Sequence, residues 1–211
     1  MATVTGTIYW YASAILKALN KEIDFDSDTI KVMLTTSAYA EDLEAHDYKN
    51  DVTNEVSGAG YTAGGATLSG KTITYIPDQS ATAWAANTAY RIGSIRRPTT
   101  ANGHIYRCVV AGTSGSTEPS WPTARGATVT DGTVTWAEAG QGYISLDAAD
   151  TVWTNSTLVV RKAVIYDDTP PGDAAKPLLG ILVLDSDATT SDGDLTLQWP
   201  VEGVLCIPYN M

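Results

Sequence analysis

Apolar residues recur at helical spacing in one clear place. Ala12, Ile15, Leu16, Leu19 and Ile23 fall on one face of a helix across residues 10–23, which predicts an amphipathic helix near the start of the chain. Asp24, Asp26 and Asp28 break that pattern, and from Thr29 to Thr36 the period drops to two, with Ile30, Val32 and Leu34 on one side. That alternation predicts a half-buried strand. Residues 37–57 are polar and mixed and predict a long loop or a short helix. Residues 58–76 predict glycine-punctuated strands around a Ser69-Gly70 turn. Beyond residue 140 come the segments 143–146, 158–166, 178–184, 195–199 and 204–207, each short, apolar and bounded by Asp, Gly, Pro or Thr. The expected fold is mainly β, α+β only through its one N-terminal helix, with an antiparallel β-sandwich or barrel-like core.

Residues 79–140 differ from their surroundings. They hold five of the six arginines (Arg91, Arg96, Arg97, Arg107, Arg125), no lysine, and only Glu118, Asp131 and Glu138 as acids. Trp84, Trp121, Trp136, Tyr90 and Tyr106 also fall there. Such a shift, bounded by polar turns, predicts a small β domain inserted into a discontinuous core of residues 1–78 and 141–211, because insertions are tolerated in loops. Removing it would join Tyr75-Ile-Pro-Asp78 to Tyr143-Ile-Ser-Leu-Asp147, two strands able to pair as a hairpin.

Charge then narrows the function. The 211 residues carry a net charge of −11, which disfavours phosphate-backbone binding, since that needs clustered Lys and Arg. No apolar run reaches the roughly 18 residues of a membrane-spanning helix, and the first residues do not read as a secretion signal, so assembly in a cytoplasm is expected. Neither nucleic acid nor membrane is an expected partner. Cys108 and Cys206 sit in β-branched runs and predict small buried hydrophobes rather than a disulfide or zinc pair.

Several motifs have plain readings. Gly65-Ala-Thr-Leu-Ser-Gly70-Lys71-Thr72 matches GxxxxGK[ST], but a phosphate cradle needs a strand before it and a helix after it. Here the strand-like Ile-Thr-Tyr-Ile follows, and a glycine-rich hairpin is expected. Gly58-Ala-Gly60 matches a dinucleotide fingerprint more weakly still. Asp24-Phe-Asp26-Ser-Asp28 opens like a calcium loop, yet it has Thr29 where glycine belongs and Thr35 where a bidentate Glu belongs. Turn chemistry explains it, as it does Asp185-Ser-Asp187 and Asp192-Gly-Asp194. His46 and His104 have no nucleophile pattern near them, and His104, after Asn102-Gly103, is expected in a solvated turn. Glu118 and Asp131 suit a glycosidase pair only if they face each other across a few ångströms. Asn155-Ser-Thr is a glycosylation sequon by pattern alone. No enzyme, metal or cofactor is expected.

Two stretches carry a family resemblance. Ala83-Trp84 through Tyr90-Arg-Ile-Gly93, then Gly103-His-Ile-Tyr106, then Pro119-Ser-Trp121-Pro, resembles small chitin-binding-like carbohydrate-binding modules. The likeness covers about the first two thirds of 79–140 and departs at Arg96-Arg97-Pro-Thr-Thr-Ala-Asn102. It implies that Trp84, Tyr90, Tyr106 and Trp121 include residues that stack on sugar rings, whereas core packing of a small domain is their structural alternative. Residues 126–136 are similar to the end of that module in tailed-phage virion proteins. Outside it, residues 10–19, 23–39, 54–65 and Trp153-Thr-Asn-Ser-Thr resemble small structural proteins of tailed bacteriophages.

The resemblances imply a virion component assembled in a bacterial host, in first place a capsid decoration or cement protein. Its partners would be the major capsid protein or other virion proteins, with further copies of itself, a trimer being one option. The alternative is a tail, neck or fibre-associated adhesin whose partner is a surface glycan. The exposed faces of the helix and the loop 37–57 are the expected contact regions.

Overall fold

The computed structural model describes residues 1–209. The chain enters through β1 (Ala2–Val4) and β2 (Gly6–Trp10), turns through α1 (Ala14–Leu19), and continues as β3 (Ile30–Thr35), β4 (Ala66–Thr67) and β5 (Thr72–Pro77). The middle segment supplies β6 (Ala89–Tyr90), β7 (Ile95–Arg96), β8 (Ile105–Val110), β9 (Gly112–Thr113), β10 (Thr128–Asp131) and β11 (Val134–Gly140). Then come β12 (Gly142–Asp147), β13 (Thr151–Ser156), β14 (Val159–Asp167), β15 (Leu178–Thr189), β16 (Gly193–Leu197) and β17 (Leu205–Tyr209). The fold is mainly β, with mostly antiparallel, sandwich-like sheets and one α-helix among the described residues.

The chain divides into two compact units. The first, Met1–Thr72 with Asp147–Trp199, contains a five-stranded sheet in the order β2-β15-β14-β3-β4 and a three-stranded sheet in the order β1-β16-β13. β1 runs parallel to its neighbour β16. The sheet centre packs Met33, Val164, Tyr166, Leu178 and Ile181 with Tyr11 and Tyr39. β3 was expected to be half-buried, but Met33 and Thr35 are buried as well as Ile30, Val32 and Leu34. The face that carries Met33 is covered by the 37–57 segment, whose Tyr39 joins the same cluster with Leu43 and Val52 packed against it. That segment is a loop with one 3-10 turn at Lys49–Asp51.

The second unit, Ile73–Leu146 with Pro200 onward, holds the sheets β10-β11-β8-β7 and β17-β12-β5 and the pair β6-β9. Its boundaries lie outside the expected 79–140 for a physical reason. Ile76 of β5, Tyr143 of β12 and Cys206 of β17 pack with Ala81, Ile95 and Ile105 in one cluster. Glu202 then fixes the last segment from inside, accepting bonds from the Ile95 N–H at 2.8 Å and from Arg96 at 2.6 Å. Strand pairing across 60 residues of chain leaves no local trace, so composition alone draws the border too tightly. The division also separates charge: the first unit carries eight cations against nineteen acids, while the second carries five of each.

The helix differs most from expectation. It is six residues long, and its buried residues are Ala14 and Lys17, whereas Ile15, Leu16 and Leu19 are exposed, Leu19 at 78%. Lys17 takes the inner position because it finds partners there. Its Nζ donates to the Asp47 carbonyl at 2.8 Å and sits 3.7 Å from the centre of the Tyr48 ring. A lysine so satisfied loses little on burial, and at 100° per residue it turns Ile15, Leu16 and Leu19 to the opposite side.

Candidate functional site

The second unit is built around buried carboxylates. Asp131, at the end of β10, accepts three bonds: from Trp84 Nε1 at 2.7 Å, from Trp136 Nε1 at 3.0 Å and from the Gly115 N–H at 2.8 Å. Glu138 in β11 accepts from the Gly126 and Gly140 N–H groups and bonds His104 Nδ1 at 2.8 Å. Burial alone would raise the Glu138 pKa, but the bonds from His104 and the two backbone amides outweigh it and hold the carboxyl below its ordinary range. His104 is thus a partner of a buried acid and not the solvated turn residue expected.

Burial separates the four aromatic residues that the resemblance singles out. Trp84, Tyr90 and Tyr106 are buried in one cluster with Cys108, Val134 and Trp136, and Tyr106 has no exposure at all. They fill a core too small to close without large side chains, the alternative that the sequence leaves open for these residues. Trp121 alone of the four is only partly buried. It leans on Tyr106 with ring centres 4.4 Å apart and meets the edge of Trp136 at 5.9 Å.

Trp121 lines a pocket of about 370 Å³ with Pro98, Thr99, Thr100, Asn102, Glu118 and Pro119. Each wall is fixed. Arg97 holds the 98–100 turn through the Pro98 and Thr99 carbonyls, at 2.7 and 2.9 Å. Glu118 accepts from the Thr99 N–H at 2.8 Å, from the Thr99 hydroxyl and from Trp121 Nε1 at 2.9 Å. Burial pushes its pKa up, but those bonds prevail and keep it below the ordinary range. Asn102 donates to the Tyr106 hydroxyl at 2.8 Å, and that hydroxyl donates to the Pro122 carbonyl at 3.1 Å. The pocket lining therefore combines the Trp121 ring and two prolines with hydroxyl, amide and carboxylate side chains. That combination suits a ring with apolar C–H faces and polar edges. The 96–102 turn, where the sequence departs from the carbohydrate-binding pattern, is the part that builds this pocket, and its basic residues are used for internal ties.

The remaining candidate motifs resolve into structure. Glu118 and Asp131 serve separate sets of donors, Thr99 and Trp121 for the first and Trp84, Trp136 and Gly115 for the second. Asp24 and Asp28 are occupied in a turn, with the Ser27 N–H on Asp24 and the Asp24 N–H on Asp28 at 2.6 Å. Among the described residues no group of three or more His, Cys, Asp or Glu is arranged to hold a metal ion. Burial raises the thiols of Cys108 and Cys206 to about 11, which leaves them protonated and poorly nucleophilic. In the glycine-rich segment, the Leu68 N–H bonds the Ile30 carbonyl and Lys71 Nζ bonds the Asp28 carbonyl. Strand β5 follows where a phosphate loop would have a helix. Lys71→Ala is expected to lower stability by about 1 kcal/mol through that lost bond, and to leave nucleotide binding, measured calorimetrically, at zero in both proteins.

Comparison with family models, with curated proteins and with solved structures finds no match to this chain.

Proposed function

We propose that the chain is a structural component of a tailed-phage virion that acts as a capsid decoration or cement protein. The observation that carries this reading is the outward apolar face of α1. Ile15, Leu16 and Leu19 are exposed on a helix whose inner position is held by a lysine. A face of this kind gains free energy when another protein covers it, and many copies on a lattice multiply a modest contact into firm attachment. The residues of the phage-protein resemblance include this helix, and the major capsid protein is the partner it suits. The acidic first unit would provide the attachment body and the second would face outward.

Leu16→Ser combined with Leu19→Ser tests the reading. Both side chains are exposed, so the melting temperature is expected to hold, while incorporation into particles falls about ten-fold or more, since each leucine contributes 1 to 2 kcal/mol when covered. Unchanged incorporation would reject the helix as the attachment face.

The Trp121 pocket favours a second reading, an adhesin of the tail, neck or fibre that holds a surface polysaccharide. On that reading the full-length protein binds a defined glycan on an array, and Trp121→Ala lowers the affinity about ten-fold or more. A wild-type protein that retains no glycan would remove this reading and leave the first intact.

A further inference from the structure

Neither reading uses a pair of carboxyl groups in the first unit. Asp167 ends β14 with no exposure, opposite Ile30 of β3, and its N–H donates to the Pro177 carbonyl at 2.9 Å. Its Oδ1 accepts from the Thr169 N–H at 2.8 Å, while Oδ2 is buried without a hydrogen-bond partner. The turn that carries Asp28 lies beside it, with the Thr29 N–H on the Thr169 hydroxyl at 2.8 Å, and burial together with the nearby Asp28 carboxyl raises the Asp167 pKa. Asp28 is fixed independently: its N–H donates to the Asp24 carbonyl, its Oδ2 accepts from the Asp24 N–H, and its carbonyl accepts from Lys71. The two segments are tied a second time by Asp168 N–H to the Thr29 carbonyl, also at 2.8 Å.

The charges around the pair do not neutralise it. Lys31 and Lys176 both go to Asp168, at 2.6 and 2.7 Å. Lys49 goes to Asp173, which Lys176 also approaches at 3.4 Å. Lys71 reaches a carbonyl rather than a carboxylate and stands 5.8 Å from the Phe25 ring centre. From the same turn Asp24 adds another acid, and the Tyr166 hydroxyl of β14 donates to the Gly64 carbonyl. Two neighbouring carboxylates, one of them fully buried, cannot both ionise cheaply. A single proton supplies the bond that Asp167 Oδ2 lacks and removes one of the two charges.

We propose that Asp167 and Asp28 share one proton, with Asp167 as the carboxylic acid donating to the Asp28 carboxylate, so that the 24–29 turn is latched to the end of β14 in acid and released as that proton leaves to solvent. Burial, opposed by the Thr169 bonds and reinforced by Asp28, raises the Asp167 pKa above its ordinary value. A folded pKa above the unfolded one means that the latch contributes fully below the unfolded carboxyl pKa and is lost as pH rises through the folded one. Asp168 has the opposite sign. Burial raises its pKa, but Lys176 and Lys31 prevail and lower it, so its contribution is lost as pH falls.

The test is a carboxyl ¹³C titration of the full chain from about pH 4 to about pH 8, with amide exchange at Thr29 and Asp168 as the readout of the latch. Asp167 is expected to titrate above the ordinary carboxylate range, and wild-type protection at these two amides to fall about ten-fold or more across the titration. Asp167→Asn donates from Nδ2 at every pH, so it should keep the protection at the alkaline end. Should that variant fail to fold, Asp28→Asn gives Asp167 a neutral donor, and the Asp167 pKa should drop relative to wild type. Titration of Asp167 at or below the ordinary range, pH-independent protection in the wild type, or an unchanged Asp167 pKa in Asp28→Asn would overturn the proposal. Calcium-dependent stabilisation that Asp28→Asn abolishes would also overturn it, by assigning the pair to a cation.

Discussion

Asp131→Ala is expected to destabilise the second unit by about 3 to 5 kcal/mol, the larger part of the stability of an ordinary domain. Removal of this side chain strands three donors at once, the buried indole N–H groups of Trp84 and Trp136 and the part-buried Gly115 N–H. Each would keep its desolvation cost of about 1 to 3 kcal/mol while losing its acceptor, with some relief as water enters the space left behind. Asp131→Asn should lie between wild type and alanine, because one amide oxygen still accepts while the amide nitrogen faces donors. Thermal and urea denaturation followed by tryptophan emission measures the effect directly, since two of the affected groups are the fluorophores. A change within about 0.5 kcal/mol would mean that Asp131 does not organise this core.

Gly65→Ala is expected to cost the first unit about 3 kcal/mol or more. Gly65 has φ +77°, and an added Cβ would fall on the Val32 carbonyl oxygen and 2.7 Å from Met33 Cα. Both belong to β3, which is hydrogen-bonded on both sides and cannot withdraw. The side chain would therefore meet fixed backbone in a conformation that L residues avoid. Gly70→Ala gives the contrast: its φ is +62°, but an added Cβ would meet nothing nearer than 3.7 Å, so only the backbone preference is lost, about 1 kcal/mol. If the two variants melt alike, close approach to β3 is not the reason for glycine at position 65.

Period and punctuation made much of the β architecture legible. β3, β14, β15 and the glycine-rich turn before β5 lie where alternation or a short bounded apolar run places them. β1, β2 and β13 escaped because, at three to six residues with threonine or other polar side chains among them, they are too short to set an apolar period. Their pairing depends on partners far along the chain, as Ala2 with Leu195 and Trp153 with Leu195 illustrate. Helical spacing correctly marked a helix but not its inner face. That face was decided by Asp47 and Tyr48, some 30 residues later, which offered Lys17 a better site than water. The same limit applies to the pocket. An aromatic motif does not say which rings close the core and which one reaches the surface, and only the packing of Trp121 over Tyr106 and Trp136 selects it. The Asp28–Asp167 pair was similarly hidden, since the acidic turn looked self-sufficient and its second carboxyl comes from another strand.

Quantitative mass spectrometry of washed virions, with this chain counted against the major capsid protein, decides whether it is a structural component of the head. The chain is expected in the particle at a copy number that follows the capsid lattice, on the order of hundreds. About a dozen copies would transfer it to the tail, neck or fibre reading. Absence from washed particles that retain their full capsid would contradict a structural role in the virion.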